Sequence, residues 1–147
     1  MLINICSGKE LIAIIIPGNY SAEGIQFFTP SEYSQQLAYM NRKCGYKIEP
    51  HVHNKLQRQV VNTQEVLLIR KGRLRVDLYD SEKKYIESRI LESGDVILLA
   101  AGGHGFEMLD DTEIIEIKQG PYAGVDDKVR FASIENEKLK INDTGYE

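Results

Sequence analysis

Residues 65–79 read EVLLIRKGRLRVDLY, and the order of apolar and polar side chains in them decides the fold. Glu65 to Arg70 is an apolar run bounded by Lys71-Gly72. Beyond the glycine, Leu74, Val76 and Leu78 alternate with Arg75, Asp77 and Tyr79. That period of two belongs to a strand with one polar face. Two such runs around a short turn predict a β-hairpin.

The pattern continues on both sides. C-terminally, Ile86–Leu91 reads as a strand, Gly94-Asp95 as a turn and Val96–Leu99 as a buried strand. Gly102-Gly103 breaks that run, and Phe106–Leu109 and Glu113–Lys118 supply two more strands. N-terminally, Tyr46–Val52 alternates and predicts another. Short strands separated by turn signals predict an all-β barrel or sandwich.

The first third has a different texture. Leu11–Ile16 is a β-branched run stopped by Pro17-Gly18-Asn19, hence a buried strand and its turn. Ile25–Phe28 reads as a second strand. Thr29-Pro30-Ser31-Glu32 has the residues of a helix start, with Thr29 as N-cap and Pro30 at the first helical position. Tyr33, Leu37 and Met40 follow at helical spacing and predict a helix of about three turns. The expected organisation is an N-terminal extension of strands and a short helix (1–44) packed on a β domain (45–132). A charged tail (133–147), either a short surface helix or disordered, completes it.

Composition sets the limits. Of 147 residues, 42% are hydrophobic and 27% charged, enough apolar content to exclude disorder throughout. The net charge of −4 and the lack of a basic stripe exclude nucleic acid as an expected partner. The dense basic run Arg70-Lys71-Gly72-Arg73-Leu74-Arg75 reads as the solvated end of the hairpin. Leu11–Ile16, the longest apolar stretch, is far short of the ~20 residues of a membrane helix, so no membrane is expected. Cys6 and Cys44 could form one bridge at most. Without an export-signal layout at the N-terminus, free thiols in a reducing cytoplasm are expected.

Chemistry concentrates in the histidines, of which there are three: His51, His53 and His104. In an extended segment, His51 and His53 project from one face with Cα atoms about 6.6 Å apart, so two imidazoles can converge on one ion. Pro50 argues against helix there. Lys47 and Glu49 share their parity, which makes Glu49 a candidate ligand, a hydrogen-bond acceptor for a ligating imidazole, or a general base.

The spacing of Gly45, His51 and His53, then of Glu65 and Gly72, resembles the first motif of the cupin superfamily. Gly94-Asp95 and His104 resemble the second. The resemblance spans roughly residues 45–118. Three departures accompany it: Asn54–Gln64 lengthen the loop before Glu65, Ala100 stands in place of the usual proline, and Met108 replaces the customary asparagine. The resemblance implies a double-stranded β-helix, a jelly-roll-like barrel. It also implies one divalent metal ion on His51, His53, Glu65 and His104, with Glu49 as the rival carboxylate. Imidazole plus carboxylate suits Zn, Fe, Mn, Ni or Co equally.

Thr63–Leu67, Gly102–Glu107 and Lys118–Tyr122 are similar to segments of cupins found among polysaccharide-biosynthesis proteins. That implies a small-molecule ligand, a sugar or sugar-nucleotide. Phe106 and Met108 share parity with His104 and are expected to line the interior. Arg58, in the lengthened loop, and Tyr122 are expected to border the pocket. Four functions remain open: metal-assisted isomerisation or epimerisation, an Fe-dependent dioxygenase that uses similar ligands, a non-catalytic binding module, and a metal-free acid–base cupin. A homodimer is expected, since the apolar strand Leu11–Ile16 needs a pairing edge.

Overall fold

A computed structural model describes residues 1–143. It divides into two compact units, one made of Met1–Tyr20 with the chain from Asn62 onward, the other of Ser21–Val61. Residues 144–147 of the expected tail lie outside the described residues. Among the described residues no helix is long and apolar enough to cross a membrane, and Cys6 and Cys44 are free thiols.

The larger unit is all-β. Its strands are β1 (Ile3–Ser7), β2 (Glu10–Ile16), then, after the smaller unit's β3 and β4, β5 (Glu65–Lys71), β6 (Arg73–Tyr79), β7 (Tyr85–Glu92), β8 (Val96–Leu99), β9 (Gly103–Met108), β10 (Glu113–Lys118) and β11 (Ile141–Asp143). One sheet has the order β1-β2-β8-β5-β10 and the other β11-β7-β6-β9; neither closes on itself. All pairings are antiparallel except β11 with β7.

The core lies where the inward faces meet. Ile15, Leu67, Ile69, Ile97 and Leu99 come from the first sheet; Leu74, Val76, Leu78 and Leu91 come from the second. Burying a side chain of this size stabilises by about 1.5–3 kcal/mol each, so alternation within residues 65–79 drives the assembly.

The expected hairpin is corrected. β5 pairs with β8 and β10, whereas β6 pairs with β7 and β9, so the two strands lie in different sheets. Gly72 turns the chain from one sheet to the other at φ +79°, where a Cβ would come within 2.4 Å of the Asp111 carbonyl oxygen. The polar face of β6 is also covered: Asp77 and Tyr79 are buried.

Gly94-Asp95 forms a second junction. The fully buried Asp95 carboxylate accepts the Gly18 and Glu92 backbone N–H groups, each at 2.8 Å, and ties the turn after β2 to the turn before β8. Asp95→Ala removes the carboxylate that accepts from both N–H groups, a loss of about 1–3 kcal/mol for each. Urea denaturation should register a loss of about 3 kcal/mol, with Asp95→Asn intermediate. Equal stability of Asp95→Ala and wild type would remove this role.

The smaller unit contains β3 (Gly24–Phe27) paired antiparallel with β4 (Ala38–Asn41). The helix expected from Thr29 to Met40 is absent. The Gln36 side chain donates to the Pro30 and Tyr33 carbonyls, and Thr29 Oγ1 accepts from Leu37 N–H, so local side-chain bonds replace a helical ladder. The Thr29 cap residue closes a hairpin loop instead. The strand expected at Tyr46–Val52 is not formed either; residues 47–61 have no regular structure.

The described part of the tail holds one short 3-10 turn and a strand in place of the expected surface helix or disorder. After a 3-10 turn at Asn136–Lys138, β11 adds to the edge of β7, and the Tyr85 hydroxyl accepts from Lys140 N–H at 2.9 Å.

Candidate functional site

β10 and β9 are edge strands of their respective sheets, and both turn functional groups inward. Leu67 and Ile69 of β5 are core residues, so Glu65, two positions before Leu67, faces the same interior. Its register partner on β10 is Lys118. On β9, His104, Phe106 and Met108 stand opposite Leu78, Val76 and Leu74, all core residues, and share their inward face.

The result is a polar cluster at the open side of an apolar core. His104 Nε2 lies 3.2 Å from Glu65 Oε2, and Lys118 Nζ lies 3.5 Å from Glu65 Oε1. Asp127, on a 3-10 turn at Gly124–Asp127, holds Lys118 Nζ at 2.5 Å. These side chains border a cavity of about 1040 Å³, with Phe106 and Phe131 among its apolar walls. The Phe131 ring packs edge-on against Tyr79 at 5.0 Å and rests on Gly103, where a Cβ would come within 2.8 Å of the ring.

Electrostatics follows from these contacts. The hydrogen bond from His104 holds the Glu65 carboxyl below its usual range; burial opposes this, and the charges of His104 and Lys118 add to it. Asp127 holds the Lys118 ammonium above its usual range, chiefly by their hydrogen bond. A carboxylate with a lowered folded pKa stabilises above its unfolded value, about 4.3, and loses that contribution as pH falls through the folded value. The stability advantage of wild type over Glu65→Gln should therefore shrink as pH falls below about 4.3. A gap unchanged with pH in urea titrations would show that Glu65 is not held this way.

A second charged group borders the cavity from the polar face of β6. Asp77 accepts from Arg75 Nε at 2.8 Å, Arg75 Nη2 at 3.0 Å and Ser88 Oγ at 2.5 Å; Arg75 Nη1 also lies 2.8 Å from Glu107.

The expected site residues divide between the two units. Glu65, His104 and Phe106 come together around the cavity. Met108 shares their face but is half exposed and lies outside the lining, as does the exposed Tyr122. In the smaller unit, the His51 and His53 rings sit edge to face at 5.3 Å, and His51 Nδ1 is 2.9 Å from the Glu49 carbonyl oxygen. Glu49 and Arg58 are exposed there. Among the described residues no group of three or more His, Cys, Asp or Glu side chains is assembled for a metal ion.

A divalent ion can be weighed against the inward pair. Metal bonds of about 2.0–2.2 Å at right angles place neighbouring donors about 3 Å apart, so the 3.2 Å between His104 Nε2 and Glu65 Oε2 suits adjacent ligands as well as a hydrogen bond. Lys118, a cation 3.5 Å from the same carboxylate, works against a second positive charge.

Sequence reasoning missed Lys118, Asp127 and Phe131. Lys118 shares inward parity with Ile114 and Glu116, a signal that was present in the strand Glu113–Lys118. Asp127 and Phe131 lie in an irregular segment with no such period. Comparison with protein-family models, curated proteins and solved structures gives no match.

Proposed function

We propose that the larger unit is a small-molecule site of cupin type, and that His104 and Glu65 move a proton on a bound keto sugar or sugar-nucleotide. The observation that supports it most is the inward His104–Glu65 pair, 3.2 Å apart on the wall of a large cavity. An imidazole oriented by a carboxylate is suited to general acid–base chemistry, and isomerisation or epimerisation beside a carbonyl needs that chemistry. The jelly-roll reading is supported by the chain path, which changes sheets between β5 and β6, β7 and β8, β8 and β9, and β9 and β10.

Each residue then has a defined task. Glu65 fixes the orientation of His104, whose hydrogen bond, with a smaller contribution from Lys118, keeps Glu65 ionised, and Asp127 holds Lys118 in place. His104 takes the proton next to the carbonyl and returns it on the neighbouring carbon or the opposite face. Phe106 supplies an apolar wall that limits water.

The resemblance adds a divalent ion on Glu65, His104, His51 and His53. That part rests on the sequence motifs, with Glu49 the rival carboxylate and Zn, Fe, Mn, Ni and Co all suitable. When bound, such an ion polarises a carbonyl oxygen. Elemental analysis of the purified protein tests it. The homodimer is likewise a proposal, tested by sedimentation.

Proton exchange tests the reading. A panel of nucleoside-diphosphate keto sugars is incubated with the protein in D2O and read by mass spectrometry. Deuterium should enter a sugar carbon with wild type and not with His104→Gln. A sugar that binds tightly but never exchanges would make this a binding module instead.

A further inference from the structure

We propose that Lys83, Lys128 and Arg130 form an anion-binding rim of the cavity that takes the phosphate end of a phosphorylated small molecule. The proposal rests on the reading of the cavity as a ligand site and assigns its charged end.

Five cationic side chains border the cavity: Arg75, Lys83, Lys118, Lys128 and Arg130. Two of them are neutralised in place, Arg75 by Asp77 and Glu107, and Lys118 by Asp127 and Glu65. The other three have no carboxylate within 4.0 Å among the described residues. Of the acids on the same wall, Asp80 is committed to its own turn, where its carboxylate accepts from Glu82 and Lys84 N–H. The spare positive charge is thus confined to two short segments.

Those segments meet at Phe131. Lys83 Nζ lies 5.9 Å from the centre of the Phe131 ring, and Arg130 precedes that residue in the chain. Lys128 and Arg130 are two apart in the segment that leads into Phe131, and both are exposed. Lys83 occupies an unusual position: it adopts φ +66°, which glycine takes at no steric cost and other residues take at a cost of about 1–2 kcal/mol. A lysine held there at the mouth of a cavity places its ammonium where the turn alone would favour glycine. Three cations without a carboxylate partner on one cavity lining suit a phosphate ester or diphosphate, which neutralises several charges at once.

The strained turn supplies a test in which misfolding does not interfere. Inorganic pyrophosphate is titrated into the full chain by calorimetry at about 50 mM salt, where screening is moderate. Wild type should bind, and Lys83→Gly should bind about fivefold more weakly while its thermal midpoint stays level or rises. The double variant Lys128→Ala/Arg130→Ala should lose about tenfold or more. Absence of proton exchange by wild type while its pyrophosphate binding persists removes the catalytic reading alone and leaves the rim standing. No binding by wild type at millimolar pyrophosphate, or equal binding by both rim variants, overturns the rim.

Discussion

Gly102→Ala should yield no stably folded protein. The residue lies at φ +69° between β8 and β9, and an added Cβ would stand 2.2 Å from the Tyr79 carbonyl oxygen and 3.2 Å from Ile12 Cδ1. The first contact is with backbone of β6, which is paired on both sides by β7 and β9 and has no room to retreat. The left-handed conformation adds about 1–2 kcal/mol for a residue with a Cβ. Overpacking of this kind costs typically 1–3 kcal/mol more, and a backbone overlap exceeds that. The sum approaches the whole stability of a small domain, about 5–15 kcal/mol. Gly8→Ala is the matched control: it has φ +58° but no heavy atom within 4 Å of the added carbon. It should lose only about 1–2 kcal/mol in urea denaturation. Equal losses for the two variants would show that the close approach at Gly102 has no energetic weight.

β8 and β10 were legible to the residue and β2 to within one: β2 and β8 are apolar runs between glycines, and β10 is an isoleucine-rich run between Asp110-Asp111 and Gly120. The partnership of β5 and β6 was not legible. Each run has one inward face whether the strands pair with each other or with β8, β10, β7 and β9, so the pattern is the same in a hairpin and in a corner. Long-range pairing decides between them. Residues 29–40 failed for a local reason, since Thr29 and Gln36 satisfy backbone groups that a helix would otherwise claim. In the site, Glu65 and His104 were identifiable from motif spacing. Lys118 was overlooked because a lysine at a strand end ordinarily reads as solvated, although its register partner is Glu65.

Removing the imidazole should have the largest effect on chemistry. General acid–base catalysis by one positioned side chain contributes about 10²–10⁴-fold. His104→Gln keeps an inward polar side chain on β9 but cannot take a proton, so the exchange rate should fall by that factor while ligand affinity changes little. Glu65→Gln removes the charge that orients the imidazole and should fall less steeply. Lys118 remains anchored by Asp127 in both variants, which separates loss of chemistry from collapse of the wall. Chelator divides the remaining readings: exchange that survives it belongs to the His104–Glu65 pair alone, and exchange abolished by it requires the ion.

The most direct measurement is deuterium incorporation from D2O into a bound nucleoside-diphosphate keto sugar, with wild type and His104→Gln compared at saturating ligand. Wild type should incorporate deuterium at a sugar carbon, and the variant should lose at least about a hundredfold with binding retained. Incorporation by His104→Gln at the wild-type rate, or none by wild type across the panel, would contradict it.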